Sequence, residues 1–189
     1  MDALELLTAD HNRVRGLFSR FKDAAEKDHD AEAAELAGKI VEELEVHTTI
    51  EEEIFYPAIH DESDEVGDLV DEGLQEHHVA KTLIEELGSV EAGSDEWTAK
   101  MKVLIENVEH HAKEEEEEMF PKVRSASDAD SRKALAERLE ARKAELGAPT
   151  AADKEQFSTD ELREKASEQQ IPGRSKMERD ELVATVAPD

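Results

Sequence analysis

The stretches HAKEEEEEMFP, from His111 to Pro121, and HTTIEEEIFYP, from His47 to Pro57, decide how this 189-residue chain reads. His47/His111, Glu51/Glu115 and Pro57/Pro121 all pair at the same offset of 64 positions. Each stretch places a glutamate four residues after a histidine and ends in an aromatic-proline pair. Residues four apart share one face of a helix, so each stretch can offer an imidazole nitrogen and a carboxylate to one metal ion. Proline is expected to stop each helix soon afterwards.

Acidic residues number 50 of 189, so a glutamate near a histidine carries little by itself. The position on the helix is what sharpens it. Met101, Leu104 and Val108 lead along one seam into His111, Glu115 and Met119, and Ile40 and Leu44 lead into His47, Glu51 and Ile54. These polar residues fall where a core-facing helix carries leucine. A buried carboxylate without a partner costs several kcal/mol or more, and a metal ion is the most economical compensation.

Composition narrows the chemistry. There is no cysteine, which excludes disulfides, thiolate zinc sites and iron–sulfur clusters. Histidine and carboxylate remain as strong ligands, and they suit iron or manganese. The start MDALELLTAD has neither a basic n-region nor an apolar run, so a cytoplasmic protein without signal peptide is expected. No stretch is long and apolar enough for a membrane span. The net charge of −27 disfavours general nucleic-acid binding.

Further helices follow from periodicity. Leu4, Leu7, Val14, Phe18 and Phe21 mark one from Asp2 to about Lys27, with His11 on its seam and Gly16 as a local weak point. The second is expected from about Ala31 to Tyr56. A third runs from about Ser63 to Gly88, with Val66, Val70, Gly73, Ala80, Ile84 and Leu87 on a stripe that includes His77. The fourth runs from about Asp95 to Met119. Taken alone, His11 also reads as a core-edge histidine, and His29, His60 and His78 read as solvent-facing. His110 competes with His111, because Glu114 lies four residues after it. The rest of the run Glu114 to Glu118 reads as a solvated face. The chain nevertheless repeats: a helix with one seam histidine preceded by an acid (Asp10-His11, Glu76-His77), then a helix with a seam His/Glu pair.

Ser127-Asp128 reads as the cap of a fifth helix to about Leu146, with Leu135, Leu139 and Leu146 spaced for packing and charges that suggest scaffold. The expected organisation is a four-helix unit over 1–125, a packing helix over 126–147, a linker over 148–156 and a helix-loop-helix tail over 157–189. Thr159 and Ser175 each precede a helix-like run in that tail, which has too few apolar groups for a core of its own.

The set His11, His47, Glu51, His77, His111 and Glu115 resembles the hemerythrin-like (HHE cation-binding) proteins over roughly residues 1–125. The resemblance implies an all-α, up-down-up-down antiparallel four-helix bundle, here with an extra helix and a small helical tail. It also implies two iron ions joined by an oxo or hydroxo bridge. Glu51 and Glu115 would bridge both irons and the four histidines would be terminal ligands. Oxygen-carrying hemerythrins have a further histidine one turn after the third-helix ligand, where this chain has Lys81, and an aspartate one residue later than Glu115. The implied site therefore has one histidine fewer and more open coordination. That argues against reversible oxygen carriage and favours peroxide or oxygen chemistry, with catalase-like activity as one form of it, or iron sensing. The expected ligand is O2 or hydrogen peroxide; the alternative is a non-enzymatic iron or oxygen sensor or store whose tail binds a partner. The tail is similar to the small helix-loop-helix module at the N-terminus of transcription terminator Rho. It carries five Lys/Arg against eight Asp/Glu, so nucleic-acid binding through Arg174, Lys176 and Arg179 is not its expected role.

Overall fold

A computed structural model describes residues 1–148 and 157–186 of the chain. Of the linker expected over 148–156, all but the first residue lies outside the described residues, as do residues 187–189. The main helices are α1 (Ala3–Glu26), α2 (Asp30–Ile50), α4 (Asp64–Leu87) and α5 (Asp95–Glu114). Short turns join α1 to α2 and α4 to α5, which makes each pair an antiparallel hairpin, and the hairpins pack together as a bundle.

Polar caps set the helix starts. The Asp2 carboxylate accepts from the Leu4 and Glu5 amides, and Glu5 reaches back to the Asp2 amide in a capping box. Ser63 and Ser94 cap α4 and α5 in the same sense. Among the described residues no helix is long and apolar enough to cross a membrane.

The helices do not stop at the prolines. After Ile50 the chain passes through a π-turn, Glu51–Phe55, and continues as α3 (Tyr56–Ile59). After Glu114 it passes through a second π-turn, Glu115–Met119, and continues as α6 (Phe120–Ala126). The Tyr56 amide bonds to the Glu51 carbonyl and the Phe120 amide to the Glu115 carbonyl, five residues back. Each proline then lies in the first turn of a new helical segment, where its missing N–H costs nothing.

The apolar core is in two parts. One cluster contains Leu4, Leu7, Ile50, Phe55, Ile59, Val70 and Phe120, and the other Phe18, Phe21, Leu36, Ile40, Trp97, Met101 and Leu104. The seam histidines and glutamates occupy the layer between them. Helix α7 (Ala129–Glu145), capped by Asp128, packs on α1 and on the first π-turn. Leu135 and Leu139 are buried as expected, whereas Leu146 is 36% exposed because the helix ends before it.

The tail forms α8 (Thr159–Glu168) and α9 (Arg179–Thr185). Ser175 falls in a 3-10 turn, and Glu178 caps the second helix instead. The tail does collect a small cluster of its own, from Leu162, Ala166, Ile171, Leu182, Val183 and Val186. It rests on α1 at Gly16, where an added Cβ would lie 2.5 Å from the Gln169 carbonyl oxygen and 2.9 Å from Ile171. Ser19 and Asp23 hold the Gln170 side chain beside this contact.

Alanine inside a helix ordinarily stabilises it by about 1 kcal/mol relative to glycine. Gly16→Ala is therefore expected to leave the bundle folded but detach the tail. Hydrogen exchange should then rise by at least about ten-fold over 157–186 and stay unchanged over α4 and α5. Unchanged tail protection would show that Gly16 is not the seat.

Candidate metal centre

His11 comes from α1, His47 from α2, His77 from α4 and His111 from α5, while Glu51 and Glu115 open the two π-turns. None of the six is more than 5% exposed. His110 is exposed on the outer side of α5, so His111 is the inward member of that pair; His29, His60 and His78 are exposed as well.

The donor atoms gather in two groups. His11 Nε2 and His47 Nε2 lie 3.1 Å apart, and His77 Nε2 and His111 Nε2 lie 3.0 Å apart. Glu51 spans the groups, with Oε1 3.2 Å from His47 Nε2 and Oε2 3.3 Å from His77 Nε2. Glu115 Oε2 is 3.3 Å from His11 Nε2 and 3.8 Å from His111 Nε2. Two donors each ~2.1 Å from one ion at a right angle are ~3 Å apart, so the spacing suits ligands of a common ion. Both Glu51 oxygens and Glu115 Oε2 are buried without a hydrogen-bond partner. Such groups are rare in a folded interior, and cations held between the helices would satisfy all three.

Each imidazole is backed by an outer carboxylate. His11 Nδ1 meets Glu116 Oε1 at 2.8 Å, His77 Nδ1 meets Glu52 Oε1 at 3.0 Å, and His111 Nδ1 meets Glu76 Oε2 at 2.7 Å. These bonds favour the proton on Nδ1 and direct the Nε2 lone pair inward. His47 differs, because Asp10 Oδ2 stands 3.8 Å from its Nδ1, beyond hydrogen-bond reach. Asp10 is instead gripped by Lys143 Nζ of α7, at 2.5 and 2.6 Å, and by Arg13, which also pairs with Glu43. Asp10, Arg13 and Lys143 are all buried.

Burial and neighbouring positive charge set the protonation. Burial, with His11 nearby, lowers His47 to about 4, and burial together with His111 lowers His77 to about 2, so both are neutral at ordinary pH. His11 moves the other way: burial would lower it, but the adjacent Glu115 carboxylate and the hydrogen bond to Glu116 outweigh that and raise it. The two glutamates part company. Burial and the neighbouring Glu115 push Glu51 well up, while the imidazoles of His111 and His11 overcome burial and pull Glu115 down. Of the two carboxyls, Glu51 is thus the one that holds a proton more readily.

Two aromatic rings occupy equivalent places at the offset of 64. Tyr56 stacks on His77 at 5.5 Å and Phe120 on His11 at 6.2 Å. The Tyr56 hydroxyl donates to Glu115 Oε1 at 2.9 Å and stands 3.5 Å from His77 Nε2. Gly73 permits this approach, since a Cβ there would lie 2.9 Å from the hydroxyl oxygen. On another side of the layer is a void of about 10 Å³ beside His11, His47 and His111, walled by Val14, Phe18, Leu44 and Val108. That is about enough for one water molecule.

Residues 2–123 match the Hemerythrin HHE cation binding domain. The chain belongs to this family. A DNA nickase of Nostoc sp. (strain PCC 7120) is 25% identical over 146 residues, which cover 77% of this chain and 40% of that protein. The chain thus spans less than half the length of that relative. No solved structure matches.

For a hemerythrin HHE chain the outer carboxylates were only partly legible in the sequence. Asp10 and Glu76 stand out as acids before seam histidines, yet each faces the histidine of the next helix, His47 or His111, and not its own neighbour. Glu52 and Glu116 each follow a seam glutamate and cross to the opposite half. Glu116 is therefore not part of a solvated face: it bonds to His11 and Arg15. Lys81, one turn after His77, pairs with Glu52 at 2.6 Å. Lys143 gave no signal, because a lysine among balanced charges looks like scaffold.

Breaking a buried ion pair by removing one partner typically costs about 3–5 kcal/mol. Asp10→Ala, which leaves Arg13 and Lys143 without their shared anion, is expected to cost that much. Lys143→Met, which leaves Arg13 on Asp10, should cost roughly half. Urea denaturation of the metal-free protein measures both, and equal or negligible losses would refute the shared clamp.

Proposed function

We propose that the centre is a non-haem di-iron site that binds O2 or hydrogen peroxide, with catalase-like removal of peroxide as its reaction. His11 and His47 would hold one iron and His77 and His111 the other, with Glu51 and Glu115 bridging. The observation that carries this reading is the set of three buried carboxylate oxygens without partners, facing four imidazole nitrogens. In this reading residues 1–125 form the metal-holding unit, 126–147 the helix that braces it, and 157–189 an arm.

A bound iron pair supplies a two-electron redox couple and a Lewis-acidic docking point for O2 or peroxide. The chain's own residues do the rest. Glu52, Glu76 and Glu116 hold three imidazoles in the tautomer that points a lone pair inward. Apolar side chains around the void exclude bulk water. Tyr56 holds a proton at its hydroxyl, hydrogen-bonded to Glu115 and facing the His77 side, where a peroxide oxygen losing its partner would need one. Burial and Glu115 keep this phenol well above its ordinary pKa, so the proton is present at every physiological pH.

A second reading is favoured by one observation, the seating of the tail on α1 five residues past His11. In that reading the centre senses iron or oxygen and the tail carries the signal to a partner. The similarity to the Nostoc DNA nickase raises DNA nicking as a third class, against which stands the net charge of −27. Peroxide consumption, tail protection on metal loading and nicking of supercoiled plasmid separate the three.

Anaerobic reconstitution with ferrous iron is expected to give two irons per chain. Glu51→Gln should abolish the pair yet leave the metal-free protein at least as heat-stable as the parent, because neither Glu51 oxygen has a hydrogen bond to lose and one of two adjacent buried carboxylates is removed. A chain that stays iron-free, or a Glu51→Gln variant that keeps both irons, would overturn the assignment. Tyr56→Phe should retain two irons while peroxide turnover falls by about 10²-fold, the ordinary scale for losing a positioned acid. Unchanged turnover would remove Tyr56 from the chemistry.

A further inference from the structure

The two halves treat equivalent acids differently. Asp10 in α1 and Glu76 in α4 each precede a seam histidine and each face the histidine of the following helix. Asp10 is balanced from within, by Lys143 and Arg13. Among the described residues no lysine or arginine pairs with Glu76. Its Oε2 is taken by His111 Nδ1 at 2.7 Å, and its Oε1 lies 3.7 Å from His110 Nε2, which is 3.4 Å from Glu114 Oε1. Glu72 and Glu118 add further negative charge around Glu114.

His110 and Glu114 stand one helical turn apart on the outer side of α5, and Glu76 reaches them from α4. Their three donor atoms, one imidazole nitrogen and two carboxylate oxygens, come within 4.8 Å of one another. The equivalent positions in the first half are Val46 and Ile50, and Ile50 is fully buried in the cluster that α7 covers. The constellation is therefore peculiar to the second half, where the His110 side chain is 63% exposed and reachable from solvent. A mixed nitrogen and oxygen donor set suits first-row divalent ions over magnesium or calcium, which prefer oxygen alone.

We propose that Glu76, His110 and Glu114 form an outer site for a first-row divalent cation, distinct from the buried centre and sharing only Glu76 with its surroundings. The cation there does for Glu76 what Lys143 and Arg13 do for Asp10. Water completes its coordination on the exposed side.

The test uses the full chain after iron reconstitution and desalting, titrated with Mn2+ at 0.15 M salt and followed by the electron paramagnetic resonance signal of free Mn2+. One Mn2+ per chain is expected beyond whatever the buried centre holds. His110→Ala and Glu114→Gln should each weaken that uptake at least ten-fold with iron content unchanged, and Glu117→Gln should leave it as it is. Uptake equal in all four proteins, or lost equally in the Glu117 variant, would mean diffuse attraction to an acidic surface and overturn the site. Absence of uptake overturns it too. Failure of the di-iron reading appears separately, as missing iron before any Mn2+ is added, and the comparison of variants keeps its meaning in that case.

Discussion

Two carboxylates shut inside an apolar bundle are the constraint on which this structure turns. Glu51 and Glu115 sit between two hydrophobic clusters, where water cannot solvate them and where three of their four oxygens have no partner. Carboxylate burial of this kind destabilises a fold unless charge is removed or matched. Burial and the nearby Glu115 push Glu51 up, while the imidazoles of His111 and His11 overcome burial and pull Glu115 down. In the proposed function a metal pair would match the charge of both carboxylates and take the three oxygens that have no partner.

The π-turns belong to the same constraint. An α-helix continued through Glu51 would present successive side chains at regular steps, and Pro57 would lack its amide bond. Widening the turn at Glu51 and at Glu115 lets each glutamate stay in the layer of the histidines while the proline falls at the start of a fresh segment. Such single turns are found mostly at functional sites. The aromatic residue before each proline is carried onto an imidazole by the same turn.

What could be read from the residues alone was the part governed by local period. The seams through Leu104 and Val108 to His111, and through Ile40 and Leu44 to His47, follow from helical spacing, and the repeat at an offset of 64 ties the halves together. The prolines misled, because the rule that they end helices assumes α-geometry on both sides, and a π-turn suspends it. Interactions between helices were not legible either. Nothing local in Asp10 says that it faces His47 and not His11, and nothing in Lys143 says that it crosses more than a hundred residues to reach Asp10. Gly16 reads as a weak point in a helix until the tail's backbone is seen lying against it. In each case the missing term is a contact between elements, which no single-helix period encodes.

A duplicated scaffold would give two equivalent ion positions, but the side chains around this one make them unlike. On the His11/His47 side the ring beside the layer is Phe120, which offers no proton, and Asp10 is too far from Nδ1 to hydrogen-bond it and is neutralised by Lys143 and Arg13. On the His77/His111 side the ring is Tyr56, and Glu52 and Glu76 both bond directly to Nδ1. An imidazole bonded directly to a carboxylate, as His11, His77 and His111 are, is a stronger donor than His47, whose carboxylate is held off by two cations. On the second side both imidazoles are backed in this way, against one on the first, and the phenol of Tyr56 stands beside them. In the proposed function the first half, with α7 against it, would supply rigidity and the Tyr56 side the proton donor.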